Sequence, residues 1–114
     1  MWRKLCLAVS CLLSGVTVHA AEPTLVEITA SWCPFCRKID PDVKALMRAG
    51  YNIVQADYDV KANEALAATY FDLTKTAPRD RTLPAFFVVD GKKITKILPG
   101  DIRNLNRYGM KPKS

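Results

Sequence analysis

Histidine is almost missing from this sequence and cysteine is scarce. Its 114 residues include one histidine, His19, and four cysteines, Cys6, Cys11, Cys33 and Cys36. His19, Cys6 and Cys11 all fall in the first twenty residues, which read as a removable leader, so the rest of the chain keeps two cysteines and no histidine. Zinc normally takes four ligands, which argues against a metal site in a monomer. There is no internal repeat and no Pro/Gly/Ser-rich linker, and the length suits one small domain. No apolar run is long enough to span a bilayer. The longest, Leu5 to Val18, has fourteen residues with two serines, a threonine and a glycine among them, against the roughly twenty that a span needs. Basic residues are scattered without interleaved aromatics, which is the pattern of a solvated face and not of a nucleic-acid surface.

The N-terminal segment 1–20 has the parts of a secretory signal. Arg3 and Lys4 form the basic start, Leu5 to Val18 the apolar stretch, and Val18-His19-Ala20 offers small residues for cleavage after Ala20. The other readings are an uncleaved anchor, which the run is too short to be, and a lipoprotein acylated at Cys11. The apolar run continues past Cys11 through Leu12 and Leu13, which weighs against acylation there. Loss of Arg3 and Lys4 lowers the formal charge from +6 to +4. Export implies a compartment where disulfides persist, in a bacterium the periplasm. The domain is then expected over residues 21–114, with 49% hydrophobic and 25% charged residues in the whole chain, as suits a globular protein.

The two remaining thiols are spaced Cys33-Pro34-Phe35-Cys36 and preceded by Trp32. At the start of a helix, unpaired N–H groups and the positive end of the helix dipole favour a thiolate on the leading sulfur. The thiolate is the nucleophile, so Cys33 would attack a disulfide in another protein and Cys36 would displace that partner. A purely structural disulfide is a poor alternative, because so small a loop hardly constrains the unfolded chain.

Hydrophobic periodicity predicts the elements around this motif. Thr24–Thr29 reads as a buried strand and Cys33–Ala49 as a helix, with Ile39, Val43, Leu46 and Met47 on its apolar face, Pro41 kinking it and Gly50 ending it. Asn52–Tyr58 reads as a second strand, parallel to the first because a helix joins them. Lys61–Phe71 reads as a helix with Leu66 and Tyr70 on one face, and Asp72–Thr82 as a polar loop. Ala85–Val89 and Lys92–Leu98 read as a hairpin about Asp90-Gly91, and Asp101–Tyr108 as a short last helix. The result is an α/β fold, β-α-β-α-β-β-α, with a four-stranded mixed sheet flanked by helices.

With these elements in order, the chain resembles the thioredoxin superfamily over essentially all of residues 23–108. Trp32-Cys33-Pro34-Phe35-Cys36 resembles the family's redox motif, and Pro41 stands where the family has its helix-kinking proline. Glu27, six residues before Cys33, stands at the family's buried acidic position. Leu83-Pro84 resembles the cis-proline loop, and Gly100 the glycine after the last strand. The short start and the Pro-Phe dipeptide bring it closer to glutaredoxin. The segment Asp59–Pro84 is longer than in a compact thioredoxin, so the Asp72–Thr82 loop borders the expected substrate groove in an unsettled register.

Several side chains have two readings. Glu27, on an apolar strand, would be desolvated with its pKa raised, or else exposed on the strand; the resemblance implies that it accepts the proton of Cys36. Pro84, if cis, puts the Leu83 backbone beside the sulfurs, where it can pair with an extended substrate; a trans proline would merely open a strand. Trp32 either shields the sulfurs and touches a partner or simply packs. Phe35 forms an apolar rim or turns into the core. The expectation is a disulfide exchange enzyme acting on protein thiols and disulfides as a monomer, without a cofactor beyond its own dithiol, recycled by a redox partner that could be membrane-bound. The reducing direction is favoured because no histidine lies between the cysteines. The alternatives are a glutaredoxin-like, glutathione-dependent reductase and a non-enzymatic binding module on the same fold.

Overall fold

The computed structural model describes residues 22–113. The expected leader 1–20 with its expected cleavage point after Ala20, and Cys6, Cys11 and His19, lie outside the described residues.

Strand β1 (Thr24–Thr29) lies inside a four-stranded sheet. It pairs in parallel with β2 (Ile53–Asp57) and antiparallel with β3 (Ala85–Asp90), which pairs in turn with β4 (Lys93–Ile97). Side chains alternate between the two faces of a strand, so β1 feeds two cores. Leu25 joins Phe86, Val88 and Ile97 on one face, against Val43 of helix α1 (Pro34–Arg48) and Ile102, Leu105 and Met110 near the C-terminus. Val26 and Ile28 join Ala85 and Phe87 on the other, against Ala67 and Phe71 of helix α2 (Lys61–Leu73). Phe87 receives two ring edges there, Tyr70 at 5.2 Å and Phe71 at 5.4 Å between centroids. The parallel β1–α1–β2 connection is what covers the first face with a helix.

Helix α1 starts on Pro34, whose missing N–H costs nothing in the first turn, and runs through Pro41 without stopping. Its end is a tight glycine-dependent stop. Gly50 adopts φ +103°, its N–H bonds the Met47 carbonyl at 3.1 Å, and the Tyr51 N–H reaches back to the Leu46 carbonyl at 3.2 Å. The Gly50 carbonyl in turn accepts the Lys113 N–H at 2.9 Å, which ties down the C-terminal segment.

Four expectations need correction. The hairpin turns on Gly91-Lys92, one residue later than Asp90-Gly91, because Asp90 still pairs with Lys93. A positive φ only at the first central residue (Gly91, +62°) is the pattern of a type II′ turn, which matches the strand twist. The last segment, Pro99–Tyr108, is not an α-helix but 3₁₀ turns broken at Asn104. Ile102 before the break and Leu105 after it are both buried. Helix α2 runs two residues past Phe71, and its buried residues are Ala67 and Phe71, with Leu66 and Tyr70 half-buried beside them. On α1, Met47 is an exposed rim residue and Val43 is the buried one.

An alanine at Gly50 would need a left-handed backbone, and its methyl would overlap the main chain of Lys113, whose nitrogen lies 2.8 Å from the position of a Cβ. We expect Gly50→Ala to cost about 1–3 kcal/mol in urea denaturation. No loss would mean that residue 113 does not dock on this turn.

Candidate active site

The chain leaves β1 at Thr29 and turns through Ala30-Ser31-Trp32, closed by a hydrogen bond from the Cys33 N–H to the Ala30 carbonyl at 3.1 Å. Cys33 then caps α1. It has extended backbone angles, and its Sγ accepts the Cys36 N–H at 3.2 Å, as an N-cap side chain does. The same sulfur donates to the Leu83 carbonyl at 3.7 Å. Leu83–Pro84 is a cis peptide bond, and Pro84 is buried at the start of β3. Sequence positions 33, 36 and 83 thus meet at one point, packed with Ala30 and Tyr58.

Both thiols are free and largely buried, Cys33 at 6% exposure and Cys36 at 2%. Burial pushes the Cys36 thiol up to about 11, with its contact to Cys33 adding to the shift and hydrogen bonds from the Ala30 backbone and the Thr29 side chain opposing it. The sulfurs also face different spaces. Cys33 lines a cleft of about 520 Å³ with Trp32, Tyr58, Ala67, Phe71 and Leu83, largely apolar. Cys36 lines a polar recess of about 440 Å³ together with Asp40, Gln55 and Asp57. An attacking sulfur on an open apolar wall, and a second thiol that keeps its proton behind it, are the parts of a dithiol exchange centre.

Glu27 is fully buried on the α1 side of β1. Burial raises its pKa; the Gln55 hydrogen bond opposes this, the Asp40 carboxylate adds to it, and Lys44 opposes it. No direct hydrogen bond joins Glu27 to Cys36 among the described residues. Gln55 pairs with Glu27 in register across β1 and β2. Its amide nitrogen donates to Glu27 Oε1 at 2.8 Å and to Asp40 Oδ1 at 2.9 Å, and its oxygen accepts the Lys44 ammonium at 2.6 Å. The other carboxyl oxygen, Oε2, is buried without a partner, a placement suited to a neutral acid.

Trp32 does not simply pack. It is 57% exposed, and its indole N–H donates to both carboxylate oxygens of Asp59, at 3.0 and 3.1 Å, which fixes it as a wall of the Cys33 cleft. Phe35 turns outward at 53% exposure. The loop after α2 carries Arg81 and Thr82 to the same cleft, with Arg81 bonded to Asp72 at 2.9 Å and lying over the Phe71 ring. Sequence reasoning missed Gln55, Asp40 and Asp59. For Gln55 and Asp40 the available signals were a polar residue facing Glu27 on the paired strand and an acid one residue before Pro41. Asp59 offered only its Asp57-Tyr58-Asp59 turn, where the Asp59 N–H bonds Asp57 Oδ1.

The chain is similar to known proteins in sequence and in fold. The family model described as Thioredoxin matches residues 15–101. A thioredoxin of Streptomyces clavuligerus is 29% identical over 83 residues, 73% of this chain and 70% of that protein. In fold, the chain is similar to Fasciola hepatica thioredoxin, with a TM-score of 0.59 at 22% identity, over 88% of this chain and 92% of that one. It is also similar to a thioredoxin from Thermus thermophilus, with a TM-score of 0.51 at 16% identity, over 85% and 80%. At such identities the structural likeness bears on the fold alone. The match of the family model across most of the chain, centred on a strand, a capped dithiol and a proline loop in the right order, makes this chain a member of the thioredoxin family and Cys33-x-x-Cys36 its thiol–disulfide oxidoreductase centre.

Proposed function

We propose that the chain is exported and reduces or isomerises disulfides in protein substrates. Export rests on residues 1–20, and the observation that carries the disulfide-exchange reading is the position of Cys33 Sγ, on the wall of an open cleft and against the Leu83 carbonyl. A substrate strand laid along Leu83 would present its disulfide there. The Cys33 thiolate attacks one substrate sulfur; a Cys33–substrate bond forms, the substrate S–S bond breaks, and the other substrate sulfur leaves as a thiolate. Cys36 then attacks Cys33 Sγ, closing the Cys33–Cys36 disulfide and freeing the second substrate thiol. Two electrons have moved to the substrate, and a dithiol partner in the membrane returns them. No cofactor is needed beyond the cysteine pair.

The reducing direction is supported by what surrounds Cys33. No histidine lies in the motif, and Arg37, the nearest cation in sequence, is held by the Ser31 carbonyl at 2.7 Å. Without a cation on the leading sulfur the reduced form lacks one source of stability, which favours giving electrons. Equilibration with dithiothreitol or glutathione should return a potential near about −270 mV, and one near about −120 mV would reverse the direction. Cys33→Ser should abolish turnover, and Cys36→Ser should accumulate the mixed disulfide with substrate, seen by mass. If export is right, protein recovered from a secreting host begins at Ala21; retention of residues 1–20 would remove the leader reading.

Cys36 needs a base for the second step, since with a pKa of about 11 roughly one molecule in ten thousand is ionised at pH 7. We assign that role to the ionised fraction of Glu27, which would take the Cys36 proton through water in the recess that Cys36, Asp40 and Gln55 line. Glu27→Gln should slow release of the mixed disulfide by about 10²-fold or more at pH 7. Its rate should then climb about tenfold per pH unit, as hydroxide alone ionises Cys36. A native pH profile in this variant would dismiss the role. The stability effect has a definite sign. A carboxyl raised in the folded state holds its proton after the unfolded chain has released it, so native stability falls as pH rises from about 4.5 through the raised value. Glu27→Gln should therefore gain on the native protein over that range in denaturation measured against pH.

A further inference from the structure

The cleft at Cys33 does not end at Leu83. Thr82 and Leu83 also line a second groove, of about 760 Å³, on the far side of the proline loop. The two halves differ in chemistry. The first is walled by Tyr58, Ala67 and Phe71. The second has an apolar floor of Phe35 and Leu98, 53% and 63% exposed, and carries Lys75, Arg79 and Lys96 against one acid, Asp80. Among the described residues, none of those three cations has a carboxylate within ion-pair distance, whereas Arg81 nearby is held by Asp72 at 2.9 Å. Unpaired cations over exposed apolar surface favour a partner that brings both apolar contacts and negative charge.

Lys75 adds an independent observation. It follows α2 at the position that closes the helix, with its N–H on the Asp72 carbonyl and φ +55°. Glycine is the residue that fits there without cost, so the backbone does not account for a lysine.

We infer that the preferred substrate is an extended polypeptide segment whose disulfide cysteine has an apolar residue on one side and acidic residues on the other, the acids lying over Lys75, Arg79 and Lys96. The inference rests on the reading of Cys33 as the nucleophile for protein disulfides, and names the substrate class of that site. The segment crosses Leu83 with its cysteine at Cys33 Sγ, one flank in each half of the groove.

The test uses the mature chain in reduced form and disulfide-linked peptide dimers that differ only in flanking residues: glutamates, glutamines or lysines. Each rate is divided by the rate of the same peptide with dithiothreitol, which removes the effect of the flanks on the disulfide itself. At about 10 mM ionic strength the glutamate peptide should react about fivefold or more faster than the glutamine peptide, and the lysine peptide more slowly. At about 1 M the three should agree within about twofold. Lys75→Gly should reduce the preference without lowering the melting temperature, and Lys75→Gly with Arg79→Gln and Lys96→Gln should bring the glutamate-to-glutamine ratio close to one. Equal normalised rates at low salt, or a preference that survives the triple variant, would overturn the inference while leaving disulfide reduction intact. Failure to reduce any of the peptides, or insulin, would instead remove the reading of Cys33 on which it stands.

Discussion

Strand β1 is hydrogen-bonded along both edges and buried on both faces, and the geometry of the site depends on its register. A slip of one residue would send Leu25 and Glu27 to the α2 face and Val26 and Ile28 to the α1 face, mismatching both cores at once. That constraint holds Glu27, an acid at 0% exposure, in a place it would not choose by itself. It also fixes where the chain emerges after Thr29, and hence where Cys33 caps α1.

From that exit point the chemistry is divided between two sides. Cys33 faces an apolar cleft where substrate can lie, and Cys36 faces a polar recess bordered by Asp40 and Gln55. The division suits the order of events in disulfide exchange. The attacking sulfur needs access to a partner, whereas the resolving thiol needs a proton acceptor and must not compete for substrate. Gln55 is the hinge of the polar side, because its amide satisfies Glu27, Asp40 and Lys44 together. A charged residue in its place would change the carboxyl of Glu27 directly, so a neutral amide leaves burial as the dominant influence.

The substrate side is shaped by the long segment between β2 and β3. It brings the α2 face, Arg81 and Thr82 to one half of the groove and Lys75 and Arg79 to the other, while β4 and the start of the last segment contribute Lys96 and Leu98. The core elements supply the dithiol, and this segment supplies much of the lining of both halves of the groove. Loops on a rigid scaffold commonly carry such differences, since they can change without disturbing the core.

Much of this was legible in the chain itself. The apolar-rich run Leu25–Ile28, the run Ala85–Val89, the helical spacing of Ile39 and Val43, and Cys33 and Cys36 at the head of a helix are local patterns, readable within one stretch of the chain. Pro84 beside the thiols and the burial of Glu27 were also readable, through resemblance and through apolar neighbours. The hairpin turn was misplaced by one residue because Asp-Gly marks a turn without fixing its pairing, and the last helix proved to be 3₁₀ turns broken at Asn104. Gln55 bridging Glu27 to Asp40, and Asp59 holding Trp32, are written in no single stretch of the sequence. Such contacts are decided by which strands lie side by side and where their ends fall, so only the folded sheet brings those atoms within bonding distance.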